Sequence, residues 1–174
     1  MKLNLLKRVC RHLCISPLAL KKRFPKAVMQ RIELAIAASE QTHFGEIRFA
    51  VELNLPLLDI LKKKSGQQRA VEIFSQLQVW DTEQNNGVLI YLLLADHDFE
   101  ILADRGIHQH VGAQGWAHIS HEMEALFKHG QFEAGVLHGI TQITALLNQH
   151  FPVNQHFPTN AANYNELPNA PVII

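Results

Sequence analysis

The stretch VLIYLLLA, residues 88–95, is the longest uninterrupted apolar run in this chain of 174 residues. An apolar run of this length, bounded by turn-forming residues, is typical of a strand that is buried on both faces of a sheet. It is far shorter than the roughly 20 residues that a membrane-spanning helix needs. We therefore expect residues 88–95 to form a buried strand rather than a transmembrane segment.

The segments on either side of this strand supply its partners in a sheet. Residues 47–53 alternate apolar and polar side chains, which indicates a half-buried strand, and residues 67–76 between the two strands have a helical pattern. This strand–helix–strand unit predicts parallel pairing. After a turn at residues 96–98, the segment 99–103 returns as a shorter strand, which predicts an antiparallel hairpin.

Three longer helical patterns accompany these strands, at residues 26–42, 113–129 and 132–150. Pro25 suits the start of the first helix, and Gly130 suits the end of the second. Residues 56–64 are expected to be a connection without regular structure. The order of helices and strands predicts an α/β fold.

Charge is divided unevenly along a chain whose formal net charge is zero. Residues 1–31 contain nine Lys and Arg and no acid, so the remainder of the chain carries an excess of nine negative charges. Within an N-terminal arm of residues 1–24, Leu6, Val9, Cys10 and Leu13 recur at helical spacing. Such a basic amphipathic arm could dock on the acidic body or lie on an anionic membrane surface. Nucleic acid is the least favoured partner, since the acidic body would repel phosphate.

Several classes of protein are disfavoured by the sequence. The two cysteines stand four residues apart, which matches neither a disulfide scaffold nor a redox pair, and no Walker-type or dinucleotide-binding glycine motif is present. The N-terminal segment lacks the apolar core and cleavage site of a signal peptide. We therefore expect a cytoplasmic protein, with membrane-peripheral attachment through the arm as an alternative.

Four segments resemble, in order, the signature segments of the TPM domain family. They are residues 32–47 with Glu40, Thr42 and Glu46; residues 74–90 with Asn86-Gly87-Val88-Leu89; Asp104-Arg105-Gly106; and the F-x-x-G-x-F-x-x-G-V junction at residues 127–136. The resemblance spans residues 31–151. The ending Asn165-Glu166-Leu167-Pro168 resembles that of a short bacterial branch of the family.

The resemblance implies a three-layer α/β/α sandwich, in which a small mixed sheet carries helices on both faces. It divides the chain into the basic arm, a TPM-like domain at residues 25–151 and an extended Asn/Pro-rich tail at residues 152–174. Relatives in this family include a plant thylakoid-lumen acid phosphatase and members that bind calcium, so their function is not uniform.

The expected topology brings several oxygen-bearing side chains to one edge of the sheet. Residues that precede the two parallel strands and those that end the returning strand meet at the same N-terminal edge. Carboxylate and amide oxygens are the ligands of hard cations, which predicts a Ca²⁺ or Mg²⁺ site. The candidate metal ligands are Glu40, Glu46, Asp81, Asn86 and Asp104, and the candidate contacts to phosphate or another ligand are Thr42 and Arg105. The alternative is that Asn86 and Asp104 make turn hydrogen bonds while Glu40 and Glu46 face solvent.

The leading hypothesis is a module that binds a divalent cation or a protein partner, without established catalysis. A metal-assisted, acid phosphatase-like phosphomonoesterase is one alternative, although no D-x-D-x-T motif supports it and no catalytic residue is assigned. A membrane-surface adaptor that uses the basic arm is the other. The pairs His108/His110 and His118/His121 are expected to be exposed or hydrogen bonded one by one rather than to form a transition-metal site.

Overall fold

A four-stranded mixed sheet organises the computed structural model, which describes residues 2–153 and 165–174. Strands β2 (Val88–Leu93) and β1 (Ile47–Glu52) are parallel neighbours, with Val88 opposite Ile47. Strand β3 (Asp98–Ala103) is antiparallel to β2, and the short strand β4 (Val172–Ile173) runs parallel to β1 on its other side. The predicted parallel unit and the predicted hairpin are therefore both present.

Helices cover both faces of this sheet. In the described part of the chain they are α1 (Lys2–Cys14), α2 (Pro17–Arg23), α3 (Lys26–Glu40), α4 (Leu57–Leu61), α5 (Gly66–Gln76), α6 (Arg105–Lys128) and α7 (Phe132–His150). Helices α3, α6 and α7 pack with Phe49 and Ile90 in one apolar core, whereas α4 and α5 pack with Leu89 and Tyr91 in the other. The expected three-layer α/β/α arrangement is confirmed.

The prediction that β1 is half-buried was wrong, because all six of its residues are buried. Helix α5 covers the face of the sheet on which the polar side chains of β1 lie. The Glu52 carboxylate accepts hydrogen bonds from Arg69 Nε (2.9 Å) and Nη2 (3.0 Å) and from Tyr91 Oη (2.6 Å). These polar side chains are tolerated inside the protein because they are paired with one another.

Two short elements and one helix start differ from the expected pattern. Residues 56–64 contain α4, whose Ile60 is fully buried in the core. Helix α6 begins at Arg105, eight residues before the predicted start, where the Asp104 carboxylate accepts from the Arg105 N–H. Gly112 has a φ of 68°, which interrupts the regular helical backbone within α6. Of the predicted extended tail, residues 154–164 lie outside the described residues, and the end of the tail forms β4.

The basic arm is packed on the body of the protein. Arg8 Nη2 lies 2.6 Å and Arg11 Nη2 lies 2.5 Å from the carboxylate oxygens of Asp96, in the turn between β2 and β3. The buried His12 ring accepts from the Leu55 N–H through Nδ1 (3.0 Å). Thus α1 is held by the turn that the hairpin forms. No helix within residues 2–153 and 165–174 is long and apolar enough to cross a membrane.

Candidate functional site

The loops at the N-terminal edge of the sheet are joined by backbone hydrogen bonds. The Val88 N–H donates to the Glu46 carbonyl (2.8 Å), and the Asp104 N–H donates to the Gly87 carbonyl (2.8 Å). Glu46 immediately precedes β1, Asn86 lies two residues before β2, and Asp104 directly follows β3. The three segments that the sequence predicts to meet at this edge are therefore neighbours.

Asn86 is fully buried, and its orientation is fixed by its donors. Its backbone N–H donates to Thr82 Oγ1 (3.0 Å), and its side-chain Nδ2 donates to the Phe44 carbonyl (3.0 Å). Because Nδ2 is the atom that faces a carbonyl, the amide cannot be reversed without losing this bond. Oδ1 of Asn86 is then a buried acceptor that has no hydrogen-bond partner among the described residues.

Asp104 leaves a second buried acceptor at the same edge. Its Oδ1 accepts from the Arg105 N–H (2.7 Å) at the N-terminus of α6, whereas Oδ2 is buried and finds no hydrogen-bond partner in the described part of the chain. Buried acceptors of this kind are rare in native proteins because each costs desolvation energy. The arrangement therefore offers two oxygens that an additional electropositive group could satisfy.

Gly106 allows the loop of residues 84–87 to lie directly on the first turn of α6. A Cβ atom at this position would lie 2.5 Å from the carbonyl oxygens of both Gln84 and Asn85. The Ile107 N–H donates to the Asn85 carbonyl (3.2 Å), which closes the contact. The loop and the helix start therefore form one rigid unit that carries Asn86 and Asp104.

Glu40 and Glu46 form a second, separate group of carboxyls. Glu40 Oε1 accepts from the Ile47 N–H (2.9 Å), and Glu46 accepts from the N–H groups of Glu166 (3.0 Å) and Leu167 (3.3 Å). The two carboxyl groups also interact with each other, since each one shifts the pKa of the other. Glu46 thus holds the C-terminal tail against the sheet edge.

The pKa values of both carboxyls lie well above those of exposed glutamates. Burial is the main cause for Glu40, whose pKa is raised to about 8, and the charge of Glu46 adds to the effect. Burial also raises the pKa of Glu46 to about 7, although the N–H groups of Glu166 and Leu167 oppose this shift. One proton is therefore retained between the two carboxyls near neutral pH.

Arg48 supplies the positive charge next to this pair. Its side chain is buried, and burial lowers the pKa of its guanidinium while the charges of Glu40 and Glu46 raise it. Its Nε and Nη1 atoms are buried without a hydrogen-bond partner among the residues that the structure describes. A cavity of about 410 Å³ adjoins the carboxyl pair, and its lining includes Asn165 and Asn169 of the tail.

Of the remaining predicted site residues, one closes the end of a helix and two are exposed. Thr42 Oγ1 donates to the Ser39 carbonyl (2.7 Å) and so closes the end of α3. Asp81 and Arg105 are both exposed. Within the described ranges, no three His, Cys, Asp or Glu side chains are placed to share a metal ion. Of the five predicted ligands, Asn86 and Asp104 lie on segments joined by the Asp104–Gly87 hydrogen bond, Glu40 and Glu46 line one cavity, and Asp81 is exposed.

Sequence reasoning missed Arg48 and the tail N–H groups at this edge. Glu46 and Arg48 stand two residues apart and Arg48 and Glu52 four, and these even spacings place the three side chains on one face of the strand. The alternation of apolar and polar residues predicts that this face meets solvent, which the structure contradicts. Opposite charges at two-residue spacing were the available signal for a buried, paired face.

One histidine of each of the two pairs contacts a side chain outside its pair. His118 Nε2 lies 3.5 Å from Glu122 Oε1, and His138 Nε2 lies 2.8 Å from Glu122 Oε2. The His110 ring stacks on that of His150, with centroids 4.7 Å apart. His43 is fully buried against Ser39 Oγ (2.8 Å), and burial lowers its pKa to about 4.

Comparisons with known proteins cover most of the described fold. A family model described as the TPM domain matches residues 21–146. No curated protein gives a match. Among solved structures, the NMR structure of the BA42 protein from the psychrophilic bacterium Bizionia argentinensis is similar, with a TM-score of 0.71 and 28% sequence identity. The similarity covers 84% of this chain and 92% of that chain.

Proposed function

Starting from the fact that this chain belongs to the TPM domain family, we propose that it binds a divalent cation at the sheet edge formed by Asn86 and Asp104. The observation that carries the proposal is the pair of buried acceptor oxygens, Asn86 Oδ1 and Asp104 Oδ2, which lack hydrogen-bond partners in the described part of the chain. An amide oxygen and a carboxylate oxygen are suitable ligands for Ca²⁺ or Mg²⁺.

Rigid backbone supports this pair of ligands. The Asp104 backbone N–H donates to the Gly87 carbonyl, and the Asn86 side-chain Nδ2 donates to the Phe44 carbonyl. Neither residue therefore has to move into place to bind a cation. Both oxygens are acceptors, so a bound anion could not satisfy them. A cation would satisfy them, with water completing its coordination.

Glu40 and Glu46 are outside the primary ligand set in this proposal. Glu40 retains a proton, and Glu46 already accepts two backbone N–H groups of the tail. The C-terminal tail of the same chain therefore binds Glu46 where a segment of a partner protein would otherwise bind. Binding of a peptide segment at this edge is thus seen as a contact within the chain, and not as a contact with a second protein.

Calorimetric titration of the full chain with CaCl₂ and with MgCl₂ tests the proposal. We expect a saturable heat and a higher melting temperature with at least one of the two ions. The variant Asp104→Asn keeps a side-chain acceptor at the helix N-terminus but loses the charge, so it should weaken binding about tenfold or more without unfolding α6.

Two matched variants locate the cation. Asp81→Asn removes an exposed carboxylate nearby in sequence and should leave the titration unchanged. Glu46→Gln should lower stability through the tail contact while it leaves the cation affinity within about twofold. Absence of heat and of thermal shift with both ions, or equal weakening by Asp81→Asn and Asp104→Asn, would contradict the proposal.

Phosphomonoesterase activity stays a prediction, for which the exposed Arg105 beside Asp104 is a candidate phosphate contact. Turnover of a chromogenic phosphomonoester in the presence of the bound cation measures it. Turnover that persists in Asp104→Asn would come from a contaminant.

A further inference from the structure

Five leucines with exposed side chains lie on two helices that pack against each other. On α1, Leu6 and Leu13 are 61% and 64% exposed, and on α4, Leu57, Leu58 and Leu61 are 45%, 69% and 52% exposed. Single exposed leucines are ordinary, whereas a concentration of them on adjacent elements marks an interaction surface. We call these five residues the leucine face.

The exposure on α1 follows from the way this helix is anchored. Leu5 and Val9 pack against the core, and His12 is buried, so the inner side of the helix is already used. Leu6 and Leu13 stand seven residues apart, which places them on one stripe two turns apart. Cys10 lies on the same stripe and is exposed as well. The docked arm therefore presents a second apolar side to solvent.

Basic residues border the leucine face without acidic neighbours to neutralise them. Lys7 follows Leu6 directly, and Lys62 and Lys63 follow α4 directly, and all three side chains are exposed. The nearby acids are engaged within the protein, since Asp59 is paired with Lys64 (3.0 Å) and Asp96 with Arg8. The surface is thus apolar in the middle and positive at its border.

We propose that the leucine face docks on an anionic lipid bilayer, with α1 lying in the plane of the interface. Leucines enter the boundary between headgroups and acyl chains, and lysines contact the lipid phosphates, as in other cationic amphipathic helices. A second copy of this chain fits less well, because Lys7, Lys62 and Lys63 of the two copies would face one another. Charge complementarity therefore selects the membrane.

This surface is independent of the proposed cation site. Helix α4 follows the C-terminal end of β1, whereas Asn86 and Asp104 lie at the opposite, N-terminal edge of the sheet. Failure of the cation proposal would leave the membrane proposal intact, and the reverse also holds.

Cosedimentation of the full chain with vesicles tests the proposal. The vesicles consist of phosphatidylcholine alone or of phosphatidylcholine mixed with phosphatidylglycerol. We expect binding to the mixed vesicles, weakening with added salt, and little binding to phosphatidylcholine alone. The double variants Leu58→Ser/Leu61→Ser and Lys7→Glu/Lys62→Glu change exposed side chains, so both should fold, and each should lower the vesicle affinity about tenfold or more.

The opposite face of the molecule supplies matched controls. Leu34 of α3 is 67% exposed, and the Lys128 side chain of α6 is 66% exposed, and both helices cover the other side of the sheet. Leu34→Ser and Lys128→Glu should leave vesicle binding unchanged. Equal losses in the controls and in the leucine-face variants would overturn the proposal.

The natural cysteines provide a second readout. In Cys14→Ser, a polarity-sensitive thiol fluorophore on the exposed Cys10 should shift its emission to shorter wavelength on anionic vesicles and stay unchanged on phosphatidylcholine. Sedimentation equilibrium of the unlabelled chain addresses the second-copy alternative. A dimer that Leu58→Ser/Leu61→Ser dissociates, together with no vesicle binding, would replace the membrane with a self-association interface.

Discussion

At the scale of single residues, Glu46 and Arg48 show how a polar side chain in a strand can be internal. Glu46 accepts backbone N–H groups from residues about 120 positions later in the chain, and Arg48 lies beside it with its charge directed at the same carboxyl pair. The alternation of residues 47–53 could predict a strand but not which face solvent would reach. Solvent is kept from this face by α5 and by a tail contact about 120 positions away in the chain, and the alternation alone shows neither of them.

The carboxyl pair makes stability depend on pH in an unusual direction. A folded-state pKa of about 8 for Glu40 means that the native protein holds a proton that the unfolded chain releases near pH 4.5. The contribution of this raised pKa to the free energy of unfolding is fully present at low pH. It decreases by up to about 1.4 kcal/mol per pH unit as the pH rises toward about 8. His43 acts in the opposite direction below about pH 6.5, because its folded-state pKa is lowered to about 4.

We predict that Glu40→Gln flattens the pH dependence of the free energy of unfolding between about pH 6.5 and 8. Glutamine keeps a donor toward Glu46 and an acceptor for the Ile47 N–H but cannot ionise. Urea unfolding at several pH values measures the difference, with the exposed Glu124→Gln as control. If the native chain and Glu40→Gln lose stability in parallel over this range, Glu40 does not retain the proton.

At the scale of elements, length and capping decided which segments the sequence could predict. Helix α7 has the predicted bounds, because its apolar spacing continues over 19 residues. Helix α4 spans five residues and β4 two, which is too short for any periodicity to develop. The first turns of α6 contain Gly106 and Gly112, which weaken the helical pattern, so the sequence predicts the start of this helix at residue 113 and not at its cap, Asp104.

The docking of α1 depends on Asp96. Its carboxylate oxygens lie within 3.0 Å of side-chain nitrogens of Arg8, Arg11 and His12. We predict that Asp96→Asn weakens the attachment of α1 by about 2 kcal/mol, since hydrogen bonds to a charged acceptor are lost from a half-buried place. Hydrogen–deuterium exchange measures the weakened attachment of α1. We expect faster exchange of the amides in residues 5–14 and unchanged exchange in the rest of the chain.

A matched control for this change is Glu133→Gln, which removes the exposed ion pair between Arg31 and Glu133 on the other side of the sheet. An exposed pair contributes at most about 1 kcal/mol, so protection should change little. Unchanged exchange of α1 in Asp96→Asn would mean that Leu5, Val9 and His12 hold the helix without the turn.

At the scale of the whole molecule, topology predicted more than side-chain patterns did. Strand directions placed Glu46, Asn86 and Asp104 at one edge, and the backbone hydrogen bonds Val88–Glu46 and Asp104–Gly87 join those segments. Which oxygens at that edge remain available was not predictable. The backbone N–H groups of the tail already bind the Glu46 carboxylate, and this contact joins the C-terminal tail to the start of β1.

The tail also covers the outer edge of β1. We predict that a chain ending at residue 164 loses β4 and the two donors to Glu46, melts at lower temperature and associates through the uncovered strand edge. Thermal unfolding and light scattering measure both effects. Leu167→Ala keeps the backbone of the tail but removes a buried side chain, so it should destabilise by about 2–3 kcal/mol and stay monomeric.

A truncated chain that melts like the native one and scatters no more light would show that β4 contributes nothing to stability. Association of Leu167→Ala as well would assign the effect to loss of core packing rather than to the strand edge.

The interruption of α6 at Gly112 separates two parts of the helix that have different partners. The part before it contacts the loop of residues 84–87 through Gly106 and the Ile107 N–H, and α6 also packs against α7. Space for a Cβ exists at Gly112, but the φ of 68° does not suit other residues. A residue at position 112 that favours regular helical backbone would change the angle between these two parts of α6, and the first part begins at the cap residue Asp104.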